Sequence, residues 1–264
     1  MKTNDTIELM LRRKSIREYE DRDVDDETIE TLARAAFQAP FAAQLGSLLL
    51  SRDREHNPFR APLLFTVCAD CYRLERIMKE RGWRVRSSDA TMLLFGVQDA
   101  CYMAENLVLA AESLGLGSCY LGGAPYGSDK IAEDYGLPPR VFPVVQLTVG
   151  HPAEDPPPRP RYPLSFSLFE DAYPEMSDED VREAMRVMDE GYMSQDYYRK
   201  AGYMVELEDG REETFTYDDY GWTEHMCRKW GQWWGSSEKL LGPLRRRGFD
   251  VTTDGDTGSN GEDE

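Results

Sequence analysis

No run of about 18 uncharged apolar residues occurs in these 264 residues, so the sequence offers no membrane-spanning helix. The opening MKTNDTIELM lacks the apolar core of a signal peptide, and the expectation is a cytoplasmic protein. Histidine is scarce: His56, His151 and His225 lie far apart without metal-ligand spacing. Five cysteines, at 68, 71, 101, 119 and 227, form an odd set without a secretory signal, which argues for reduced thiols. Cys68-Ala-Asp-Cys71 has C-x-x-C spacing, but no second pair accompanies it and its first cysteine ends an apolar strand-like run, so neither a metal nor a redox role is expected. Positive charge is in deficit, with 31 basic against 49 acidic residues and a net charge of −18. That balance argues against nucleic acid or an anionic membrane as partner. It also means that any anionic cofactor needs a local cluster of cations, because the long-range field repels it.

At 30.2 kDa the chain has room for one large domain, alone or with an appendage. Its most informative stretch is Leu114 to Gly123, LGLGSCYLGG. Behind it, Ala100, Met103, Ala104, Leu107, Val108, Ala111 and Leu114 recur at helical spacing and predict a buried helix from about Ala90 to Ser113. Gly115 suits the left-handed residue that ends such a helix, and Gly117 lets the chain turn into a short strand at Ser118 to Leu121. Gly122-Gly123 leaves main chain with no side chain above it, which suits either a tight turn or a flat ligand lying against the backbone.

Near the N-terminus, a short helix marked by Ile7, Met10 and Leu11 runs into Arg12-Arg13-Lys14-Ser15-Ile16-Arg17. In so acidic a chain, this local excess of cations reads as an anion site; a helix C-terminus dressed with cations to suit its dipole is the other reading. Asp25 is placed to cap a second helix, with Ile29, Leu32, Ala33 and Ala36 on one face, and Pro40 stops it. A small-residue loop, Phe41 to Gly46, leads to a strand through Leu48 to Leu50. Pro62 to Ala69 reads as a strand covered on both faces, Tyr72 to Arg81 as a helix, and Val141 to Gly150 as a third buried strand. The proline-rich segment 151–163 is extended and presents Arg159 and Arg161 from a stiff backbone; it reads equally as a linker. Ser177 caps a helix bearing Val181, Ala184, Met185 and Met188. Tyr203 to Tyr217, alternating about an Asp-Gly turn, predicts a β-hairpin. Trp222, Trp230, Trp233 and Trp234 supply aromatic bulk for packing a terminal helix.

Taken in order, RRKSIREY (12–19), APLLFTVCAD (61–70), GVQDA (96–100), AENLVLAAESLGLGSCYLGG (104–123) and LPPRVFPVVQLTVGHPAEDPPPRPR (137–161) resemble the FMN-dependent nitroreductase family. The chain is most similar to the oxygen-insensitive, flavin-reductase-like branch, and the likeness returns at Trp222-Thr223-Glu224-His225 and Gly248-Phe249. The resemblance implies an α+β fold, a mixed and mainly antiparallel sheet wrapped by helices, in an interlocked homodimer with FMN at the interface. It implies that Arg13, Lys14, Ser15 and Arg17 hold the phosphate, ribityl chain and pyrimidine edge, with Arg159 and Arg161 completing the phosphate site. Pro40, Phe41, Ala42 and Gln44 would touch the ring system from the partner subunit, and Tyr120, Leu121, Gly122 and Gly123 would run along it. The loop Phe41-Ala42-Ala43 departs from the family, which usually offers Ser, Thr or Asn there.

The expected function is an NAD(P)H oxidoreductase that reduces nitroaromatics, quinones or flavins in a two-step hydride exchange. No protein acid or base is assigned a catalytic part, since the cofactor carries the chemistry. A flavin-binding protein without turnover, or a specialised dehalogenase or enoate reductase, are the alternatives. Arg199, Lys200 and Arg211 favour NADPH over NADH as donor. The expected organisation is an FMN-binding core at 1–165, a C-terminal helical extension at 166–251 with the hairpin at 203–217, and a disordered acidic tail at 252–264.

Overall fold

All eight residues of Leu63–Asp70 are buried, as an apolar run without alternation requires when both faces of a strand are covered. The computed structural model describes residues 1–208, 210–232 and 237–251, and divides the chain into two units. The first comprises Met1–Pro156 and the described residues from Ser237 onward. In chain order it runs α1 (Asp5–Arg12), α2 (Asp26–Phe37), β1 (Gly46–Ser51), a 3₁₀ turn (Pro58–Arg60), β2 (Leu63–Asp70), α3 (Tyr72–Glu80), α4 (Asp89–Ser113), β3 (Gly117–Leu121), α5 (Ser128–Tyr135) and β4 (Val141–Gly150). The strand order is β1-β2-β4-β3, and all three ladders are antiparallel. Among the described residues the parallel component of the sheet is one bridge, Ser15 to Ser118, at the β3 edge.

Helix α4 is the unit's spine. Its N-cap, Ser88, accepts from the Thr91 N–H, and its buried face joins α2 and the sheet in one core that includes Leu32, Val67, Leu107, Leu147 and Val149. Each such side chain contributes about 1.5–3 kcal/mol over its exposed state. Asp25 caps α2 as its position before the apolar stripe predicts. Gly115, at φ 76°, takes the left-handed turn after α4.

The second unit, Pro157–Ser236, holds a 3₁₀ turn (Leu164–Phe166), α6 (Asp178–Ser194), α7 (Tyr197–Ala201) and α8 (Trp222–Gln232). Ser177 and Asp180 form a reciprocal capping box at the start of α6. The proline-rich segment is extended and held against the end of α6, where Gln195 donates to the Pro158 carbonyl at 2.9 Å and Pro160 packs on Gly191. Tyr198, Tyr220, His225 and Arg228 are buried together. Arg228, 4% exposed, donates to both carboxylate oxygens of Glu213 (2.5 and 2.8 Å), to Glu224 (2.7 Å) and to the Val205 carbonyl (3.0 Å).

The hairpin expected at 203–217 is not formed: the described residues there contain no strand. Side chains from Tyr220 and α8 take the backbone groups that cross-strand pairing needs. Val205 N–H donates to the Tyr220 hydroxyl, Glu208 N–H to Gln232, and Arg228 occupies the Val205 carbonyl. Of the expected hairpin only Asp209 lies outside the described residues, as do Trp233, Trp234 and the acidic tail at 252–264.

The division falls after Pro156, where the sequence reading put it after 165, and the chain then returns to the first unit as α9 (Glu238–Arg246). The return is fixed by arginines that have no periodicity to betray them. Arg246 pairs with Asp129 at 2.7 Å, Arg247 donates to the Leu137 carbonyl at 2.8 Å, and Arg140 reaches the Gly248 carbonyl at 2.7 Å. Arg140 also pairs with Glu75 and Asp89 while its guanidinium covers the Phe249 ring.

Candidate functional site

Strand β3 and the cationic segment after α1 lie side by side. Ile16 N–H donates to the Ser118 carbonyl at 2.8 Å, and Ile16 packs so closely that a Cβ on Gly117 would sit 2.6 Å from it. Gly117 is therefore glycine because another chain segment occupies its side-chain space. This pairing lays the start of the cationic segment along β3, with Ser15 bridging to Ser118 and Arg13 beside Tyr120. The Arg13 guanidinium lies 5.9 Å from the Tyr120 ring centre, and its Nη1 is buried without a partner among the described residues. A buried guanidinium nitrogen left unpaired is costly, and an anion is its natural complement. Lys14 is paired with Asp155, while Glu154 accepts the N–H groups of Arg17 and Glu18. The Tyr120 hydroxyl donates to Glu105 at 2.8 Å. Beyond Leu121, an added side chain at Gly122 or Gly123 would meet nothing within 4 Å, so the main chain there is open to a flat ligand.

Glu112, half-buried on α4, has its carboxyl pushed up to about 7 from an ordinary 4.5, chiefly by burial, with Arg13 pulling the other way. A folded value above the unfolded one means that stability from this group is complete below 4.5 and lost as pH rises through about 7. Glu112→Gln should therefore flatten the decline of melting temperature between roughly pH 5 and pH 8. Parallel profiles for variant and wild type would show that the carboxylate is solvated after all.

The expected loop residues form a second group. Pro40, Phe41 and Gln44 line a cavity of about 60 Å³ together with Arg73, Asp99 and Met103. Ala42 joins them through its N–H, which donates to Asp99 at 2.7 Å. None of the cationic segment or β3 lines this cavity, so within one chain the expected site residues fall into separate clusters.

Arg159 and Arg161 belong to the second unit. There Arg159 donates to Gln195 at 2.8 Å and stacks 4.0 Å over the Tyr197 ring, while Arg161 reaches the carbonyls of Arg159 and Pro160. The three cations offered as a nucleotide clamp are also engaged. Arg199 pairs with Asp196 and Asp218, Lys200 donates to the Gln195 carbonyl, and Arg211 to Gln232. Cys68 and Cys71 are buried, and burial pushes their thiols up to about 12 and about 11, away from redox reactivity. No metal-holding cluster occurs among the described residues.

Sequence reasoning missed Asp99, Arg73, Glu105 and Glu112. For Asp99 a signal existed: it sits in GVQDA on the face that the apolar spacing assigns to the core. A carboxylate on a buried face demands donors nearby. Arg73 gave only a local i,i+3 pair with Asp70; its role in the loop rests on the carbonyls of Gln44 and Gly46, far away in sequence.

Comparison with known proteins accords with this fold. The nitroreductase family model matches residues 10–52 and 50–151. An FMN reductase (NADPH) of Bacillus subtilis is 32% identical over 213 residues, covering 75% of this chain and 84% of that protein. An oxygen-insensitive NADPH nitroreductase of Salmonella typhimurium is 33% identical over 183 residues, covering 64% and 74% respectively. The solved structure of B. megaterium NfrA2 superposes with a TM-score of 0.80 at 26% identity, covering 95% of this chain and all of that one. The family match runs from α2 through β4, and this chain belongs to the nitroreductase family.

Proposed function

We propose that the protein is an FMN-dependent NAD(P)H oxidoreductase that reduces a small-molecule acceptor such as a nitroaromatic, quinone or flavin. The observation that carries this is the Arg13 Nη1, buried and without a partner among the described residues, on the segment that pairs with β3, which runs on into the open Gly122-Gly123 edge. Such a group fits a phosphate, and the open edge fits a planar ring. Bound FMN would supply hydride uptake from NAD(P)H and onward transfer to the acceptor. The protein's part is to bind, orient and polarise. Arg13, Lys14 and Ser15 hold the anionic end. Arg17, exposed and without an ion pair among the described residues, supplies a permanent cation for the pyrimidine edge. Tyr120 to Gly123 line the ring, and Pro40, Phe41, Ala42 and Gln44 close the pocket. Arg159 and Arg161 remain candidates for the phosphate, and a weaker flavin affinity in Arg161→Ala is their test.

The working unit we propose is a homodimer. Opposite its buried stripe, helix α4 exposes Leu94 (57%), Phe95 (41%) and Tyr102 (45%). Such an apolar patch marks an interaction surface, and a second copy of this chain covers it. Five free cysteines suit a reducing, cytoplasmic setting.

The decisive experiment is anaerobic. Purified protein should carry or take up FMN, lose its visible absorbance on addition of NADPH, and recover it when a quinone or nitroaromatic is added. FMN uptake without loss of colour would identify a carrier, and no uptake at all would defeat the reading. Sedimentation of the same sample at the mass of one chain would remove the dimer.

A further inference from the structure

The segment between α2 and β1 has no regular structure, yet two charged side chains from other elements fix its backbone. Asp99, 1% exposed in the middle of α4, accepts Ala42 N–H on one carboxylate oxygen at 2.7 Å. Its other oxygen accepts Leu45 N–H at 2.8 Å and Ala43 N–H at 3.3 Å. Arg73, on α3, collects carbonyls instead: its guanidinium donates to Gln44 at 3.1 Å and to Gly46, while Asp70 holds it at 2.9 Å. Between these clamps Gln44 sits at φ 51°, in the left-handed region. A non-glycine residue there is strained, and such strain persists only where surroundings over-determine it. Arg73 holds the carbonyl of Gln44, and Asp99 holds the next N–H.

Among the described residues, every hydrogen bond the Asp99 carboxylate makes goes to this loop, and none to another side chain of α4 or to the sheet. An apolar residue at that point would pack in the core without the cost of burying a charge. What the carboxylate achieves is shape. With Ala42, Ala43 and Leu45 tied down, Phe41 and Gln44 stand exposed at the cavity rim.

We propose that Asp99 is a positioning residue of the cofactor pocket, setting, with Arg73 as its counter-clamp, the loop conformation in which Phe41 and Gln44 meet the flavin. This rests on the FMN reading above, and the test separates the two. In Asp99→Asn, side-chain volume is kept, but an amide NH₂ replaces one of the two accepting oxygens. Hydrogen exchange on flavin-free protein should show the amides of residues 42, 43 and 45 exchanging about tenfold faster or more, with α4 and β2 unchanged, since each lost factor of ten is about 1.4 kcal/mol of protection. FMN titration of the same variant should give a dissociation constant raised roughly tenfold or more, as a misplaced positioning contact does. Arg73→Gln, altering a half-exposed residue, should shift both readouts the same way by less, and carries the test should Asp99→Asn fail to fold. Asn106→Ala, which removes a different α4 contact, to the Ala35 carbonyl at 3.0 Å, should lower the melting temperature without touching FMN affinity. Unchanged exchange at 42–45, or FMN affinity that follows melting temperature equally in all three variants, overturns the proposal. Failure of the wild type to bind FMN sinks the flavin reading instead, and exchange then decides the clamp by itself.

Discussion

Arg13→Ala is expected to cost the protein most of its flavin affinity. Among the described residues Nη1 of Arg13 is buried without a partner, so a phosphate there gains a charge-assisted bond without breaking an existing one. A hydrogen bond to a charged group contributes about 1.5–3 kcal/mol net, which corresponds to a dissociation constant raised by roughly 10- to 150-fold. Lys14 should matter less, because its ammonium is already paired with Asp155 and only exchanges one anion for another. Arg13→Lys separates charge from shape: it keeps the cation but loses the planar fork, and should recover only part of the affinity. Titration of flavin-free protein, followed by quenching of FMN fluorescence, measures all three variants. An Arg13→Ala constant within threefold of wild type would show that the phosphate sits elsewhere.

The second large effect concerns stability. Arg228→Ala should lower the unfolding free energy of the second unit by about 3 kcal/mol, at the lower end of the range for removing one partner of a buried ion pair. The lower end applies because Glu213 and Glu224 keep 40% and 29% exposure and can turn to water once the guanidinium is gone. What cannot be recovered is the Val205 carbonyl bond and the cover Arg228 gives to the Phe215 and Tyr220 rings. Near-ultraviolet circular dichroism reports the tyrosine cluster directly, so a denaturant titration read there should shift. The same pair sets an acid limit. Arg228 and the Phe215 N–H hold the Glu213 carboxyl down to about 2 from an ordinary 4.5, so its contribution is present above 4.5 and lost as pH falls towards 2. Glu213→Gln should be less stable at neutral pH and less sensitive to acid. A variant with the wild-type acid profile would assign the acid limit to another group.

What could be read in advance was whatever repeats. The α4 stripe, the mostly apolar runs of β2 and β4, and caps such as Asp25 and Ser177 are set by local spacing, and their positions hold to within a residue or two. The 203–217 segment failed because alternation and an Asp-Gly turn describe only the strand's side of the contest. Tyr220, Arg228 and Gln232 compete for the same backbone groups, and nothing local announces it. The return of α9 to the first unit was equally silent, since it depends on arginines meeting carbonyls and carboxylates more than a hundred residues away. Within the site, the cationic segment was legible through its contrast with the acidic chain. Its union with Tyr120 needed the sheet register, and the loop clamp needed both ends of two long-range contacts.

Ile16 and position 117 occupy one shared volume, and that ties together two parts of the gene that a hundred codons separate. A lineage can place a side chain at 117 only by shrinking residue 16 or by moving it. Moving it carries along Ser15 and Arg17 on either side. Substitution at a site that bears no charge can thus reposition the cationic segment, and drift at one end of the pair restricts what drift at the other can bring.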